Sequence, residues 1–429
     1  MIEQPLFGQR VREARRRSGL SQAQIAGTEM SASYISLVES GRRTPSIELA
    51  RTIADRLGVP LGELTAPEGE PQRRGWRLQL VGQLIAASSA RTGGDPAAAR
   101  DKLLAVIEQA SDPEHEDIAW EARCLLAEVL IELGDNAQSE SLLRELVNHP
   151  ITTGTAHLRA RVAGLLAELA RQAGRLQESA QTAKEALESA QLLDATSTEK
   201  IQLQLTLTAT LAVLGEHHQA QAVANDLVKI VSDVVCRQQR ATILWTAAGA
   251  HYLSGHATRA LDLLDRAFEQ LTPAVDLRRW AALCRSAAAM RLSMDDTTRE
   301  ADNLLRWARQ VLELAGRRLD ILLLTGIEAL MLLRNGNISG ALDKVAALEE
   351  TDDVTPLHQA GLLVATARVR GAARQTAEAT SAYRRAAALY EQAGAYKPAL
   401  EIWRELSEFM ESGSVGPSTA EGWHAIALP

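Results

Sequence analysis

The residues whose types and spacing suggest chemistry lie in the first 65 positions of this 429-residue chain. Five arginines crowd one short stretch, at Arg10, Arg12, Arg15, Arg16 and Arg17. Like charges this close repel one another unless phosphates or counterions neutralise them, so the cluster indicates a phosphate-binding surface, with a plain solvated face as the alternative. No glycine-rich phosphate loop, nucleophile elbow or pair of catalytic acids stands out, and the sequence predicts no enzyme, metal or cofactor.

Short helices must position this segment. Ser21 and Gln24 have the spacing of a capping box, so a helix is predicted to start at about Ser21. Ser31 is predicted to open a second helix that Gly41 ends, and Thr44-Pro45 is predicted to open a third. Apolar residues recur every three or four positions and predict a shared core: Val11, Leu20, Ile25, Ala26, Ile35, Val38, Leu49, Ile53 and Leu57.

With these caps, this core spacing and the turn Glu39-Ser40-Gly41-Arg42-Arg43, the segment from Phe7 to Leu64 resembles the helix-turn-helix domains of the Xre (Cro/cI phage repressor) family. The resemblance implies five helices, with the third in the DNA major groove. It also implies base-edge contacts from four residues, groove-margin contacts from the next two and phosphate contacts from the last two: Ala32, Ser33, Ser36, Leu37, Gln22, Tyr34, Arg42 and Arg43. The base-facing set lacks Arg, Asn and Gln, so DNA shape and site spacing are expected to dominate recognition.

Charge separates this segment from the rest of the chain. Residues 1–66 carry nine Lys or Arg and seven Asp or Glu, whereas the whole chain has a net charge of -8, so the acidic remainder is not the expected DNA surface. Cys124, Cys236 and Cys284 lack zinc-site or disulfide spacing and are predicted to be core thiols. With no signal peptide and no apolar run of about 18 residues, we expect a soluble cytoplasmic protein.

A repeat dominates the chain from residue 75 onward. Turn residues return about every 40 positions: Gly94, Gly134, Gly174, Gly215, Gly255, Asp295, Gly336 and Arg374. A small residue stands five positions after most of them: Ala99, Ser139, Ser179, Ala220, Ala260, Ala341 and Ala379, with Ala301 five after Asp296. Two helical stretches separate successive markers, as at 241–253 and 257–271, so each period predicts a helix hairpin. The sequence therefore predicts an all-α fold, a five-helix head and an α-solenoid of about eight hairpins; an irregular helical bundle is the alternative.

The glycine-to-alanine spacing resembles the tetratricopeptide repeat in a long form. That resemblance implies a concave groove lined by the first helix of each hairpin, with these residues on its inner wall: Glu128, Arg161, Glu168, Arg171, Trp245, Tyr252, Arg285 and Arg368. Such a groove suits an extended peptide or a small ligand. In the alternative interpretation, Trp245 and Tyr252 are hairpin core and the charged residues form a solvated face.

We expect four segments along the chain. They are a head at 1–66, a linker at 67–75, the solenoid at 76–411 and a tail at 412–429. A final helix is predicted at 397–410, with its apolar face on the last hairpin. The tail segment Gly422–Ile426 is predicted either to dock on the solenoid or a partner subunit, or to stay unstructured.

The combination of head and solenoid resembles the intracellular peptide-sensing transcription regulators of Gram-positive bacteria, the Rgg, PlcR and PrgX types. The resemblance implies a quorum-sensing type of regulator that binds double-stranded DNA and senses a short peptide or a small molecule. A homodimer is expected, because one small head reads little DNA and half-sites are read in pairs. The alternative is an adaptor whose solenoid binds a partner protein.

Overall fold

The computed structural model describes residues 2–65, 70–292, 298–348 and 354–412. Over these ranges the chain forms 23 α-helices and no strand, which confirms the all-α fold. Contacts divide the chain into two compact units, Met1–Leu125 and Leu126–Pro429. The tail from residue 413 lies outside the described residues, so its docking stays a prediction.

Five short helices form the head at the start of the first unit: α1 Leu6–Arg17, α2 Gln22–Ala26, α3 Ala32–Glu39, α4 Ile47–Leu57 and α5 Leu61–Thr65. Each turns one apolar stripe inward, and the stripes meet in a single core. Most of the predicted core residues are buried there, whereas Leu20 and Leu49 are only partly buried; the buried residue at the start of α4 is Ala50, next to Leu49.

Hydroxyl caps set the starts of α2 and α3. Ser21 Oγ accepts a hydrogen bond from the Gln24 amide at 3.2 Å, while the Gln24 side chain accepts one from the Ser21 amide at 2.7 Å. Ser31 Oγ accepts from the Tyr34 amide at 3.0 Å. Both predicted helix starts are confirmed, because each cap satisfies a backbone amide that has no partner inside the helix.

The start of α4 differs from the prediction. Ser46, rather than Thr44-Pro45, is its cap: Ser46 Oγ accepts a hydrogen bond from the Leu49 amide at 3.3 Å. Pro45 is buried in the preceding extended segment. The sequence prediction placed Pro45 in the first turn of the helix, with Thr44 as the cap. Ser46, two residues later, is the cap instead, because its hydroxyl can accept a hydrogen bond from a free amide of the first turn.

Helix α6 Glu70–Thr92 follows the head and packs against α7 Pro96–Gln109. Because α6 begins at Glu70, the second part of the segment proposed as a linker, 67–75, is helical. The proposed domain boundaries otherwise stay predictions.

The remaining helices continue this hairpin pattern: α8 Glu116–Leu133, α9 Asn136–Val147, the short α10 Pro150–Gly154, α11 Ala156–Gln172, α12 Leu176–Ser189, α13 Thr198–Leu214, α14 His217–Ile230, α15 Arg237–Leu253, α16 Ala257–Gln270, α17 Leu277–Leu292, α18 Thr298–Ala315, α19 Arg318–Arg334, α20 Ile338–Ala346, α21 Pro356–Ala372, α22 Thr376–Gln392 and α23 Tyr396–Ser412. Consecutive long helices pair from α6/α7 to α21/α22, and the α8/α9 pair is joined by the hydrogen bond from Ser139 to the Ala127 carbonyl, which gives the expected eight hairpins in the described residues. The predicted final helix is confirmed as α23.

Each hairpin turn whose marker lies in the described residues has left-handed backbone at that marker. The φ angle is positive at Gly94, Gly134, Gly174, Gly215, Gly255 and Gly336. Arg374 takes the same conformation, with φ of 61°. Glycine suits this position because it has no Cβ to clash with the following carbonyl. The remaining marker, Asp295, lies outside the described residues.

The predicted small residues are buried against neighbouring helices. All eight have no exposed surface: Ala99, Ser139, Ser179, Ala220, Ala260, Ala301, Ala341 and Ala379. The two serines also satisfy their hydroxyls, since Ser139 Oγ donates to the Ala127 carbonyl at 2.8 Å and Ser179 Oγ pairs with Thr210 Oγ1 at 3.0 Å. A larger side chain at these positions would separate the helices.

Within the second unit, late hairpins contact early ones. A Cβ added at Gly174 would lie 3.6 Å from Ala393 and from Pro356. One added at Gly215 would lie 2.8 Å from the Lys397 side chain, so α23 packs beside the turn that follows α13. Residues more than 180 positions apart in sequence therefore meet.

Candidate DNA interface and ligand cavity

Helix α3 presents one face to the core and the other to solvent. Ile35 and Val38 are fully buried in the head core. The four predicted base-facing residues, Ala32, Ser33, Ser36 and Leu37, are all exposed. They form a small, nearly uncharged surface, called here the α3 face, with two hydroxyls and two apolar groups.

Two arginines follow α3 directly. Arg42 and Arg43 are exposed, and both of their backbone amides donate to the Leu37 carbonyl, at 3.0 and 3.2 Å. The Arg43 guanidinium also lies 5.3 Å from the centre of the Tyr34 ring, a cation–π distance that orients it beside the α3 face. The predicted phosphate-contacting pair therefore borders the predicted base-contacting residues.

One buried carboxylate ties α1, α2 and α3 together. Glu39 accepts two hydrogen bonds from Arg15, at 2.6 and 3.1 Å, and one from Gln22 at 2.9 Å. Burial alone would raise the pKa of Glu39, but the bonds from Arg15 and Gln22 outweigh it and hold that pKa below its ordinary value. The Glu39 side chain is 4% exposed, so the ion pair is structural.

This network corrects the expectation of one uniform arginine surface on α1. Arg15 is a core-facing partner of Glu39, and Arg17 pairs with Glu63 at 3.4 Å on the surface. Arg12 and Arg16 remain exposed. The amide of Gln22, predicted at the groove margin, is committed to Glu39.

A cavity of about 630 Å³ lies in the second unit between the first helices of successive hairpins. Helices α13, α15 and α17 line it at equivalent positions 40 residues apart: Thr198, Gln238 and Arg278; Gln202, Thr242 and Ala282; Leu205, Trp245 and Arg285. The ends of α11 and α19 complete the wall with Glu168, Arg171 and Asp320. The same face of three successive first helices, α13, α15 and α17, therefore forms the main part of the cavity wall.

Four of the eight predicted groove residues line this cavity: Glu168, Arg171, Trp245 and Arg285. The other four lie elsewhere. Arg161 donates to Glu128 at 2.9 Å outside the cavity, and Tyr252 is buried. Arg368 is 1% exposed and binds both carboxylate oxygens of Glu405 at 2.7 and 2.8 Å, while Tyr383 donates to the same carboxylate at 2.7 Å. The side chain of Arg368 is therefore part of the packing between α21 and α23 instead of a groove surface.

The charges that line the cavity are partly neutralised within it. Arg171 donates to Glu168 at 2.7 and 2.9 Å; burial opposes ionisation, but the attraction to Arg171 lowers the pKa of Glu168 overall. Arg285 donates to Asp320 at 3.3 Å, and burial lowers the pKa of its guanidinium despite that carboxylate. The Arg285 charge is therefore less well compensated than that of Arg171.

The cysteine prediction is wrong for one of three residues. Cys124 and Cys284 are buried, and burial raises the pKa of the Cys284 thiol to about 12. Cys236 is exposed and lines the cavity, because it stands at the N-cap of α15, before the helix turns inward.

Several residues that line the cavity are not among the predicted groove residues; they include Thr198, Gln202, Gln238, Thr242 and Thr246. The resemblance to the tetratricopeptide repeat implied an inner face on a different part of the helix. The 40-residue spacing could have identified these residues. Trp245 and Arg285 are predicted correctly, and they lie 40 positions apart. Thr242 and Ala282, one turn earlier on the same two helices, are also 40 positions apart and line the same cavity.

Residues 6–67 match the family of helix-turn-helix domains. The chain therefore begins with a DNA-binding type of domain. No curated protein matches the sequence. Among the described residues, none of the helices has the length and apolar character needed to cross a membrane.

Solved structures resemble the fold. A Rap protein in complex with competence and sporulation factor matches with a TM-score of 0.51 at 13% identity, over 79% of this chain and 99% of that one. PlcR of Bacillus thuringiensis, in complex with the peptide PapR7 and DNA, matches with a TM-score of 0.33 at 13% identity, over 62% and 96%. ComR from Streptococcus suis matches with a TM-score of 0.27 at 14% identity, over 78% and 96%. The likeness to Rap supports a tetratricopeptide-like helical solenoid.

Proposed function

We propose that this chain is a sequence-specific transcription regulator that binds double-stranded DNA as a homodimer and is controlled by an effector in the solenoid cavity. The observation that carries the proposal is the presence, in one chain, of a helix-turn-helix head with an open recognition face and a solenoid with a cavity of about 630 Å³. The effector is a short peptide or a small molecule, and the regulator acts in the cytoplasm.

The head supplies both kinds of contact that specific DNA binding needs. Phosphate contacts position a protein, and Arg42 and Arg43 are exposed at one end of α3 for that purpose. Base contacts specify sequence, and Ser33 and Ser36 present hydroxyls on the α3 face. Because these hydroxyls discriminate bases weakly, we expect the spacing of two half-sites to add specificity, which favours a dimer.

The cavity supplies the sensing function. Its volume lies within the range of about 300–1,000 Å³ that is typical of ligand sites. Its wall combines apolar residues such as Leu205 and Leu319 with buried polar ones such as Trp245 and Arg285. A regulator controlled from this site needs an effector that binds two arrangements of the protein with different affinity.

Recovery of DNA by the full-length protein tests the proposal. Genomic fragments are incubated with purified protein, with and without a small-molecule and peptide extract of cells, and the retained fragments are sequenced. We expect a defined set of sites whose retention changes with the extract. Retention of random fragments, equal for the parent and for Arg42→Ala with Arg43→Ala, would contradict DNA recognition; retention of a defined set that never responds to extract would contradict effector control.

A further inference from the structure

Three buried polar atoms in the cavity wall have no hydrogen-bond partner. They are Nε1 of Trp245, Oγ1 of Thr246 and Nε of Arg285, whose residues are 5%, 1% and 5% exposed. All three residues line the cavity of about 630 Å³ described above, Trp245 and Thr246 from α15 and Arg285 from α17. A buried donor without a partner costs about 1–3 kcal/mol, so three in one place need an explanation.

The positions of these residues show that the polar atoms are not required by the repeat. Leu205 occupies, one hairpin earlier, the register that Trp245 and Arg285 occupy. An apolar side chain therefore satisfies the helix packing there. The indole and the guanidinium introduce N–H donors at a position that the fold fills equally well with leucine, which indicates a ligand.

We infer that Trp245, Thr246 and Arg285 together bind the carboxylate of the effector, which is a monocarboxylate with an apolar side chain, such as the free C-terminus of a short peptide. This inference rests on the proposed function and names the chemistry of the ligand. A carboxylate carries two oxygens with several lone pairs and accepts from an indole N–H, a hydroxyl and a guanidinium Nε–H at once.

The charges and apolar groups around the three donors fit this ligand. The two carboxylates that line the cavity, Glu168 and Asp320, are already engaged by Arg171 and Arg285. Arg278 and Arg317 add positive charge from exposed positions on the wall. Apolar surface is supplied by these residues: Leu205, Ala209, Leu271 and Leu319. Arg279 lines the cavity as well, so the wall has more positive than negative side chains and favours a negatively charged group attached to an aliphatic group.

Matched acid and amide probes test the inference with the full-length protein in the absence of DNA. N-acetyl-leucyl-leucine with a free carboxylate is compared with its C-terminal amide, which has the same apolar groups and no charge; inorganic phosphate at the same ionic strength is a third arm. Thermal melting and tryptophan fluorescence are followed up to about 10 mM of each probe. We expect the acid to raise the melting temperature and change the fluorescence, and the amide to bind at least tenfold more weakly, because a hydrogen bond to a charged group contributes strongly to affinity.

Two variants locate the effect. Thr246→Val keeps the branched shape and removes the hydroxyl. Trp245→Phe keeps one aromatic ring and removes the N–H together with the five-membered ring that carries it. Each should weaken binding of the acid roughly tenfold. Without probe, the melting temperature of Thr246→Val should stay equal or rise, because an unpartnered buried hydroxyl has been removed. Trp245→Phe should lower the melting temperature moderately, because the smaller ring leaves a cavity at a buried position. Trp307→Phe is the matched control, since Trp307 is half exposed on α18 and does not line the cavity; it should leave binding unchanged.

Each outcome decides the matter. Equal binding of acid and amide, phosphate bound better than the acid, or no probe bound at all would overturn the inference. Unchanged acid binding in both variants, or a large loss of stability in Thr246→Val without probe, would overturn the assignment of these residues. The proposed function is judged separately, because an extract-dependent change in DNA retention would survive a cavity that rejects carboxylates.

Discussion

Glu39 shows how a single side chain links the core of the head to its recognition helix. Its carboxylate accepts from Arg15 on α1 and Gln22 next to the α2 cap, although it belongs to α3. Removing one partner of a buried ion pair leaves an uncompensated charge, which costs about 3–5 kcal/mol.

We therefore predict that Glu39→Gln loosens the head locally. Hydrogen exchange followed by mass spectrometry should show faster exchange in α1 and α3, with the solenoid unaffected. Glu63→Gln, which breaks an exposed pair with Arg17, is the control and should have little effect. Equal protection in the parent and in Glu39→Gln would show that the pair does not position α3.

The same residue gives the head a pH dependence. The pKa of Glu39 is lowered in the folded state, so its contribution to stability is fully present above the ordinary carboxyl pKa and is lost as the pH falls through the folded value. Protection of α1 and α3 in the parent should therefore decline under acid, whereas in Glu39→Gln it should depend less on pH.

Arg374 is a second residue whose backbone carries a measurable cost. It has φ of 61°, where each of the other described markers is glycine, and its side chain is exposed. Left-handed backbone costs an L-residue about 1–2 kcal/mol, so Arg374→Gly should raise the free energy of unfolding by about 1 kcal/mol. Thermal melts measure the gain. The reverse change, Gly336→Arg, meets no neighbouring atom yet should destabilise, since φ is 75° there; two changes of the same sign would refute this account.

At the scale of the helix pair, the small residues of each hairpin set how closely its helices approach. Ala341 has no exposed surface, while Ala346 on the same helix is exposed. Ala341→Leu should cost roughly 1–3 kcal/mol by overpacking, whereas Ala346→Leu should be nearly neutral. Urea unfolding of both variants measures the difference. Similar midpoints would mean that the contact between α19 and α20 yields easily to a larger side chain.

Helix boundaries and turns were predictable because they depend on local chemistry. Ser21, Ser31 and Gly41 cap helices through atoms within a few residues of themselves, so their sequence positions are sufficient. The inner face of the solenoid was only half predictable, because it depends on how neighbouring hairpins rotate. Arg285 and Arg368 both lie in apolar helices, but only Arg285 lines the cavity. Arg368 binds Glu405, which is 37 positions away, so no local pattern in the sequence indicates that its side chain is buried.

For the whole molecule, the salt dependence of DNA binding indicates whether one or two heads contact the DNA. Each phosphate contact contributes about 0.9 to the slope of log affinity against log salt. Arg42→Ala with Arg43→Ala should therefore reduce the slope by roughly 2 for a monomer and roughly 4 for a dimer. Fluorescence anisotropy with one operator fragment measures it, and Arg100→Ala, which lies on α7 and pairs with Asp101, is the control. An unchanged slope would remove both arginines from the interface.

The contact of α23 with the turn after α13 has a consequence for how the second unit unfolds. An open array of repeats behaves as a one-dimensional chain, whose stability is a sum over neighbours and whose ends fray first. Here α23, the last helix of the described residues, packs beside an interior repeat, so fraying of α23 also removes a neighbour from that repeat. Unfolding of α23 exposes the turn after α13, and unfolding of that turn exposes α23. The two segments are therefore expected to unfold together, which makes unfolding of the second unit more cooperative than that of an open array. We therefore expect a local opening beside the turn after α13 to loosen α23 as well, although the two segments are more than 180 positions apart in sequence.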